Sequence, residues 1–580
     1  MSRVRGASAP TSGAQDHGGL DEGALDEAVR AVAAHAIDWA NTAPARRAEL
    51  LARVVADTRD VADAWSAAGC AAKGYDPLSS EGGEELFSGV GTFLRLAQAL
   101  RRSMLDLANA GRPRYPGPVQ HRPGNRLSVQ VMPASTFDKI LYAGQTGEIW
   151  MQPGVDEAQL QAGQALAYRD PFAHAGVAVV LGAGNVGSLG PRDVLHKLFA
   201  EGKVVVLKAN PVNDYLVAYW ERAMAALIDE GVLRVVRGGA QVGVYLTGHE
   251  LVDEVHVTGS DKTHDAIVYG AGDEGARRKA RDERLITKPV SCELGNVSPV
   301  VIVPGDWSDQ EMAYQARHVA SMIANNAGFN CLTPRVLVTS AHWAQRAQFL
   351  DALEGVFATL APRRAYYPGA AARRDEFLAH HPEAHQIGDA GDGEMPWTLI
   401  RDVDAANPDE ICFNVEAFCA LASETALASA TPADFLAEAT NFCNERVWGT
   451  LSMTILCDPR TMKQPDVAHA LERAVANLRY GSIGVNLWHA MSFAFATTAW
   501  GAYPGHPVTD IQSGSGFVGN TYLFSTVEKS VVRGPFVASP APAWFATNRH
   551  AHAVLQRLFA FEAAPSWTKV PALLRAALKK

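Results

Sequence analysis

Cys331 is the residue whose surroundings in the sequence best suit covalent chemistry. It lies in the segment NNAGFNCLTP, where glycine and polar residues indicate a turn. A cysteine becomes a nucleophile when its thiol is accessible and its thiolate is stabilised. A free cysteine is more often a small buried apolar residue, and we assign that role to four cysteines in or beside apolar runs: Cys412, Cys419, Cys443 and Cys457.

The cysteine and histidine patterns argue against other kinds of site. The seven cysteines are odd in number and form no CxxC pair, so neither a disulfide framework nor a zinc knuckle is indicated. The segment HHPEAH offers His380, His381 and His385, but Pro382 interrupts helical spacing and no carboxylate motif surrounds them. We therefore expect reduced thiols and no metal site.

The segments that must position Cys331 have the periodicity of an α/β protein. Residues from about 20 to 114 have helical spacing, whereas 126–134 and 148–154 alternate like strands. Apolar runs rich in β-branched residues then alternate with helical segments, as buried parallel strands do, at 176–182, 203–211, 233–239 and 254–260. Ligands bind beyond the carboxyl ends of such strands, so the pattern favours a dinucleotide site there.

A second α/β region begins near Val290. It contains the strand-like VSPVVIVPG, the helix-like DQEMAYQARHVASMIANNAG and the strand-like PRVLVTS. Cys331 lies in the turn between that helix and the last of these strands. After about Val485 the chain is irregular, before the strand-like EKSVVRGPF and a final amphipathic stretch.

The order of several motifs resembles the aldehyde dehydrogenase superfamily. They are VVLGAGN, KVVVLKANP, VDEVHVTGS, SCELGN, NNAGFNCLTPRVLV, VEAF and GSIGVN, and the resemblance spans roughly residues 125 to 535. It implies an α/β, aldehyde-dehydrogenase-like fold with a Rossmann-type cofactor domain, an α/β catalytic domain and a small β oligomerisation element. The implied bounds are 21–124 with 156–290 for the NAD(P)-binding domain, 291–480 for the catalytic domain, 125–155 with 505–540 for the oligomerisation strands, and 541–580 for a C-terminal extension.

The resemblance implies three catalytic residues. Cys331 matches the nucleophile, whose thiolate attacks an aldehyde to form a thiohemiacetal. Asn185, whose spacing to Lys208 matches the family without a gap, would bind the oxyanion together with the backbone amide of Cys331. Glu293 matches the general base that activates water to hydrolyse the thioester. On residue type alone, Asn185 would be a turn former and Glu293 a solvated side chain.

The resemblance also implies NAD or NADP as cofactor. Lys208 would contact the adenosine ribose, and Gly259 with Ser260 would open the helix near the pyrophosphate. Glu416 would hold the nicotinamide ribose, and Phe418 would support the nicotinamide ring.

Several positions depart from the family pattern. Pro211 stands where most NAD-preferring members have a glutamate, and the missing carboxylate removes repulsion against a 2′-phosphate, so NADP becomes acceptable. His264 and Asn296 replace glycines, and Cys419 with Ala420 replaces Gly-Pro after Phe418. The apparent insertion GAGDEGARRKARDERL has the mixed charges of a solvated loop, and a cofactor contact is the less favoured role for its three consecutive cations Arg277, Arg278 and Lys279.

The implied reaction is oxidation of an aldehyde to a carboxylic acid. Glu293 favours this product, because the CoA-acylating branch commonly lacks the glutamate. Two alternatives stay open: a CoA-acylating aldehyde dehydrogenase or acyl-CoA reductase, and a catalytically silent structural or binding member. An aromatic stretch would form core or line a tunnel for a bulky or apolar aldehyde; it contains Trp488, Phe493, Phe495 and Trp500.

Composition restricts the partners. The formal net charge of −10 argues against a nucleic-acid partner, and no apolar run approaches the roughly 18–20 residues that span a bilayer. Residues 1–20 are rich in Gly, Ser, Ala and Pro without the apolar core of a secretory signal, which indicates a disordered tail and a cytoplasmic protein. The strands near 126–154 and 527–536 resemble the family's oligomerisation sheet, so we expect a homodimer or homotetramer. The expected substrate is a small-molecule aldehyde.

Overall fold

The computed structural model describes residues 20–579, so the predicted tail lies outside the described residues except for Leu20. Its strands and helices alternate along most of the chain, which confirms the α/β class. The strands are β1 (Val119–Arg122), β2 (Arg126–Met132), β3 (Thr146–Met151), β4 (Val177–Leu181), β5 (Val204–Lys208), β6 (Leu233–Val236), β7 (Glu254–Thr258), β8 (Val290–Glu293), β9 (Ser298–Ile302), β10 (Pro334–Ser340), β11 (Arg363–Arg364), β12 (His385–Ile387), β13 (Glu394–Met395), β14 (Trp397–Ile400), β15 (Leu421–Leu427), β16 (Ser452–Leu456), β17 (Ser482–Val485), β18 (Trp500–Gly501), β19 (Gly514–Ser515), β20 (Phe517–Val518) and β21 (Val527–Arg533).

Helices cover both sheets and fill the N-terminal segment. The α-helices are α1 (Glu22–Ala33), α2 (Ala36–Ala40), α3 (Pro44–Lys73), α4 (Ser80–Leu86), α5 (Thr92–Ala110), α6 (Thr136–Leu141), α7 (Glu157–Ala162), α8 (Leu166–Arg169), α9 (Pro171–His174), α10 (Leu189–Phe199), α11 (Val217–Ala223), α12 (Ala225–Asp229), α13 (Ala240–Gly248), α14 (Asp261–Val268), α15 (Gly272–Ala280), α16 (Asp309–Ala324), α17 (Arg346–Phe357), α18 (Ala370–His380), α19 (Ile411–Asn414), α20 (Pro432–Glu445), α21 (Pro459–Met462), α22 (Pro465–Asn477), α23 (Met491–Phe495), α24 (Ala551–Ala563) and α25 (Val570–Ala577). A π-helix at Phe87–Gly91 joins α4 to α5, and 3₁₀ turns occupy Pro211–Leu216, Asn325–Gly328 and Val508–Asp510.

The smaller of the two main sheets has six strands in the order β19-β8-β7-β4-β5-β6. Five of them are parallel, and β19 adds antiparallel to β8. The strands β4 (VAVVL) and β5 (VVVLK) are almost entirely apolar because helices cover both faces. The core around this sheet takes residues from α1, α3 and α5, so the N-terminal helices pack on it.

The larger sheet has eleven strands in the order β1-β2-β3-β21-β17-β16-β9-β10-β15-β14-β12. Its centre, from β21 to β14, is parallel, whereas β1, β2 and β3 pair antiparallel with one another and with β21. Strands β2, β3 and β21, from the segments that the sequence assigned to oligomerisation, therefore extend the larger sheet at one end, whereas β19 from the same segments belongs to the smaller sheet. The division of the chain into domains stays a prediction.

One expectation about local structure is wrong. The charged insertion is not a loop throughout, because Gly272–Ala280 forms the exposed helix α15. Acidic Asp273 and Glu274 lie in its first turn and basic residues in its last, an arrangement that favours the helix dipole. None of the helices within residues 20–579 is long and apolar enough to cross a membrane.

Candidate active site

Two cavities meet at one cluster of residues between the sheets. The larger has a volume of about 510 Å³ and the smaller about 70 Å³. Asn185 follows β4, Glu293 ends β8 and Cys331 precedes β10, and all three line both cavities. The structure thus brings the three predicted catalytic residues together from distant parts of the sequence.

Cys331 and Glu293 are in direct contact. The half-buried Cys331 Sγ donates a hydrogen bond to Glu293 Oε1 over 3.0 Å. Burial, together with the charge of Glu293, raises the pKa of the Cys331 thiol well above its usual value. Burial also raises the pKa of Glu293, and the hydrogen bond from Cys331 opposes this. The resting pair is therefore a thiol beside a carboxylate that is a stronger base than an exposed glutamate.

The turn before Cys331 has an unusual backbone. Helix α16 begins with a capping box between Ser308 and Glu311 and gives way to the 3₁₀ turn, in which Asn326, Ala327 and Gly328 have φ values of 51°, 54° and 77°. A Cβ on Gly328 would lie 2.3 Å from the carbonyl oxygen of Cys419, so glycine is required. The turn thereby fits against the segment that carries Phe418.

Asn185 is held by this same turn. Its side-chain Nδ2 donates to the backbone carbonyl oxygen of Phe329 over 3.0 Å. The backbone carbonyl oxygen of Asn185 accepts from Asn326 Nδ2 over 3.0 Å. A side-chain amide has two N–H groups, so one donor of Asn185 is still available to an oxyanion beside Cys331. The amide is buried and therefore fixed before any substrate binds.

The five residues predicted to bind the cofactor all line the larger cavity. Lys208 lies at its wall with Ser260, whose hydroxyl accepts from the backbone amide of Thr263 and caps α14. Burial lowers the pKa of Lys208 to about 8, and nearby Asp214 opposes this shift. Gly259, Glu416 and Phe418 complete the predicted set in this wall.

Glu416 marks a place in the cavity that suits a polar ligand. It is buried, its Oε1 has no hydrogen-bond partner within residues 20–579, and burial raises its pKa to about 7. Arg335, the backbone amide of Asn296 and Arg373 oppose that shift. A Cβ on Gly295 would lie 2.2 Å from Glu416 Oε2, so the glycine leaves space for the carboxylate. A free acceptor in a cavity of this size fits ribose hydroxyls.

Two departures from the family pattern have structural roles. His264 is buried with its Nδ1 3.2 Å from Asp265 Oδ1, and it does not line the cofactor cavity. Asn296 donates from Nδ2 to Ser298 Oγ and to the carbonyl oxygen of Ser452, both over 2.8 Å, and so ties the segment between β8 and β9 to β16. Pro211 lines the cavity at the start of a 3₁₀ turn.

The cations of α15 are engaged elsewhere. Arg277 and Arg278 pair with Glu274 at 2.7 and 3.4 Å, and Lys279 pairs with Asp265 at 2.6 Å. None of the three cations lines the larger cavity. Their charges instead stabilise the exposed helix and its contact with α14.

Sequence reasoning missed residues that hold the loops of the site. Arg335 donates to the carbonyl oxygens of Gly328, Cys419 and Leu421 at 2.5, 2.6 and 3.1 Å, and so joins the catalytic turn to the loop after Glu416. Arg373 donates to the carbonyl oxygen of Phe418 over 3.2 Å and lines the cofactor cavity. Arg335 lies within the motif NNAGFNCLTPRVLV, and its place beside an apolar strand is the one signal that the sequence offered, whereas Arg373 belongs to none of the motifs.

A buried charge network lies beneath the catalytic turn. Lys73 Nζ donates to Glu85 Oε2 over 2.6 Å, to Asn326 Oδ1 over 3.0 Å and to the carbonyl oxygen of Asn185 over 3.4 Å. Glu84 Oε1 accepts from the backbone amide of Asn326 over 2.5 Å. The N-terminal helices α3 and α4 therefore contact both Asn185 and the turn before Cys331.

The smaller cavity is almost entirely apolar. Three of the four aromatic residues singled out from the sequence line it: Trp488, Phe493 and Trp500. The fourth, Phe495, packs instead in a core cluster beside Tyr142 at 5.4 Å between ring centroids. The aromatic stretch thus supplies both a cavity wall and core.

One group of potential metal ligands occurs within residues 20–579. Ligand atoms of His381, Glu410 and Cys412 lie within 4.8 Å of one another. Glu410 Oε1 accepts from the backbone amide of Cys412 over 3.0 Å and lies 2.8 Å from His381 Nε2. These contacts cap helix α19, and Glu410 Oε1 is already engaged by the backbone amide of Cys412 and by His381.

Comparison with known proteins adds a family match. Residues 139–363 match the sequence model of the aldehyde dehydrogenase family. A coniferyl aldehyde dehydrogenase of Pseudomonas sp. (strain HR199 / DSM 7063) is 24% identical over 271 residues, which are 44% of this chain and 52% of that protein. The chain thus spans about half the length of this curated relative in the match.

Solved structures resemble nearly the whole chain. A variant of the P. syringae indole-3-acetaldehyde dehydrogenase, in complex with NAD+ and IAA, has a TM-score of 0.60 at 19% identity, over 88% of this chain and 89% of that one. The glyceraldehyde-3-phosphate dehydrogenase GapN from Methanocaldococcus jannaschii DSM 2661, complexed with NADP, has a TM-score of 0.58 at 14% identity, over 89% and 95%. This likeness concerns the fold, and it confirms the aldehyde-dehydrogenase-like architecture.

Proposed function

Because residues 139–363 match the aldehyde dehydrogenase family and the fold resembles that of solved aldehyde dehydrogenases, we propose that this chain is a member of that superfamily and oxidises an aldehyde to a carboxylic acid with NAD or NADP. The observation that carries the proposal is the 3.0 Å contact between Cys331 Sγ and Glu293 Oε1 where the two cavities meet. A nucleophile and its base at the junction of two cavities suit a reaction that passes a hydride from a substrate in the smaller cavity to a cofactor in the larger one.

In the first step, Glu293 accepts the thiol proton as Cys331 attacks the aldehyde carbon. The new C–S bond forms while the C=O π electrons move to the oxygen, which becomes an oxyanion. Asn185 Nδ2 and the backbone amide of Cys331 donate to that oxygen, and one such donor is worth about 3 kcal/mol in the transition state. Burial of Asn185 and Glu293 supports this assignment, because little water can compete with the donors there.

Residues of the larger cavity would hold the dinucleotide. Lys208 and Ser260 line one part of the wall, and Glu416 with Phe418 lines the part nearer to Cys331. A bound nicotinamide dinucleotide supplies the acceptor for the hydride that the tetrahedral adduct loses. The relatives in complex with NAD+ and with NADP support either cofactor. Pro211 places no carboxylate against a 2′-phosphate at its position, which is consistent with NADP.

After the hydride has left, Glu293 releases the proton taken from Cys331 to solvent. In the last step, the regenerated carboxylate removes a proton from water. The water oxygen bonds to the thioester carbon, the C–S bond breaks, and the carboxylic acid leaves as Cys331 regains a proton. The raised pKa of Glu293 supports this role, because it makes the carboxylate a better proton acceptor. Contact between Glu293 and the nucleophile favours water over CoA as the acyl acceptor.

The test is turnover of the full-length protein with an aldehyde and each cofactor, with and without CoA. We expect reduced dinucleotide and free acid without CoA, and loss of both in Cys331→Ala. The matched control is Cys443→Ala, which removes a buried cysteine from an apolar environment away from the cavities. Retained activity in Cys331→Ala, or an absolute need for CoA, would contradict the proposal.

A further inference from the structure

The smaller cavity is closed in part by residues that lie beyond the superfamily resemblance. Trp544 and Leu555 belong to the C-terminal extension, which is described here over residues 541–579, and both line this cavity with Cys331. We propose that this extension forms one wall of the aldehyde cavity and restricts the substrate to short, uncharged aldehydes. This inference rests on the proposed function and specifies the substrate class of the same site.

The extension is fixed to the body of the protein near the cavity. Ser80 Oγ donates to the carbonyl oxygen of Asn548 over 2.9 Å, and the backbone amide of Ala546 donates to Ser321 Oγ over 2.9 Å. Arg95, buried on α5, pairs with Glu562 on α24. These contacts hold the segment between 544 and 562 at both ends, so Trp544 and Leu555 have defined positions.

Helix α24 also lies very close to α4, which precedes the π-helix in the chain. A Cβ on Gly83 of α4 would be 2.7 Å from the Cα of His552, so glycine permits the approach. The π-helix that follows supplies Phe87 and Ser88 to the same cavity. Leu555 therefore lies in a wall that α24 and the π-helix build together.

Trp544 occupies the side of the cavity formed by the aromatic stretch. Its ring centroid lies 4.9 Å from that of Trp488, and both rings line the cavity with Met491. Trp544 packs in turn on Phe545 at 4.8 Å and on His318 at 5.4 Å. The indole is thus supported from behind and cannot turn away from the cavity without disturbing a buried cluster.

The size of the cavity limits the aldehyde. Its volume of about 70 Å³ is far below the roughly 300–1,000 Å³ of sites that enclose drug-sized ligands. It is also about half of the roughly 150 Å³ of an apolar cavity that binds benzene. A short aliphatic chain fits such a volume, whereas a ring or a long chain requires the wall to be displaced.

The charge of the wall excludes ionised aldehydes. Lysine, arginine and histidine are absent from the residues that line this cavity within the described chain. Its acidic members are Glu293 and Glu84, and Glu84 already pairs with Arg363 at 3.2 Å. An anionic aldehyde would lose its hydration shell in this cavity without gaining a cationic partner, and the carboxylates of the wall would repel it. The wall therefore selects uncharged substrates.

The experiment compares kcat/KM for propanal and octanal in the full-length protein. We expect the natural chain to prefer propanal, and Leu555→Ala to raise the octanal-to-propanal ratio by about tenfold or more, since single methylene differences change such ratios by about 10–200-fold. Trp544→Ala is expected to act in the same direction. The matched control is Leu558→Ala, a leucine of the same helix that does not line the cavity, and we expect it to leave the ratio unchanged.

The outcomes separate the inference from the proposed function. Equal use of the two aldehydes by the natural chain, or an unchanged ratio in folded Leu555→Ala and Trp544→Ala, overturns the role of the extension while aldehyde oxidation stands. Failure of the natural chain to oxidise any aldehyde overturns the proposed function itself. Circular dichroism verifies folding, and Leu555→Val provides a milder enlargement with a smaller shift in the same direction if Leu555→Ala does not fold.

Discussion

Glu416 combines burial with a free acceptor atom in the cofactor cavity. Because its pKa lies near 7, the carboxylate is ionised above that pH and protonated below it. The ionised form accepts two ribose hydroxyl groups, whereas the acid form has lost part of this capacity. At the scale of one residue, burial thus makes cofactor binding sensitive to pH close to neutrality.

We predict that the affinity of the full-length protein for NAD+ falls as the pH is lowered through about 7. The Kd, measured by calorimetry at several pH values, should increase in the natural chain and change much less in Glu416→Gln. The exposed Glu283→Gln serves as the control and should behave like the natural chain. If the Kd of Glu416→Gln depends on pH as strongly as that of the natural chain, the pH dependence comes from another group and the prediction is wrong.

The residues proposed to react could be selected from the sequence, and the structure places them together, whereas the residues that support them could not be selected. Cys331 follows a turn in which Asn326, Ala327 and Gly328 have left-handed backbone conformations. Such a turn restricts the residue types that can form it, so it leaves a short motif in the sequence. Arg335 and Arg373 act through backbone carbonyl oxygens of other segments. Such contacts depend on which segments are adjacent in space, and no spacing along the chain encodes them.

At the scale of elements, α3 and α4 support the catalytic turn through buried charges. The side chains of Lys73 and Glu85 are 4% and 3% exposed, so removal of one partner leaves the other charge buried and unpaired. Breaking a buried pair in this way costs about 3–5 kcal/mol, whereas an exposed pair contributes about 0–1 kcal/mol. Lys73 also contacts Asn185 and Asn326, so the loss extends to the catalytic turn.

We therefore predict that Lys73→Met lowers the free energy of unfolding by about 3–5 kcal/mol and reduces kcat. Removal of the second charge in Lys73→Met/Glu85→Gln should restore part of the stability. Arg53→Met, which breaks an exposed pair with Asp229, should change stability by about 1 kcal/mol or less. Denaturant unfolding measures the free energy of unfolding of each variant. Equal losses of stability in Lys73→Met and Arg53→Met would contradict the prediction.

The elements differ in how well the sequence predicts them. The parallel strands β4, β5 and β7 were evident because burial on both faces demands continuous β-branched runs. Helix α15 was missed because its composition is highly charged, and its stability depends on charge placement rather than on an apolar face. Helix α24 was foreseen as amphipathic, but its place in a cavity wall depends on tertiary contacts.

On the scale of the whole molecule, the large sheet ends in an exposed strand. Strand β1 is its last member, and Gln120 and His121 within it are exposed. An unpaired strand edge is a template for pairing with another chain, and natural proteins usually cover such edges. The position of β1 beyond β2, β3 and β21 supports the expected homo-oligomer through this part of the sheet.

We predict that multi-angle light scattering of the full-length protein gives a mass of two or four times the 62.0 kDa chain. Dilution should leave this mass unchanged if edge pairing buries a large interface. A monomer throughout the concentration range would contradict oligomerisation. It would leave the chemistry untouched, because Cys331, Glu293 and Asn185 all come from one chain.

The covalent intermediate at Cys331 provides the most direct test of the proposed chemistry. Glu293→Gln removes the base of both proton transfers. Bulk solvent can still deprotonate the half-buried Cys331 thiol, so acylation continues more slowly, whereas no side chain activates the hydrolytic water. A thioester should therefore accumulate during prolonged incubation with propanal and NAD+ or NADP. Intact-mass spectrometry should then show one acyl group per chain, equal to the aldehyde less two hydrogen atoms, and peptide mapping should locate it at Cys331. The double variant Glu293→Gln/Cys331→Ala should form no acyl adduct. If Glu293→Gln alone forms no adduct, or forms it on another residue, the proposed mechanism is contradicted.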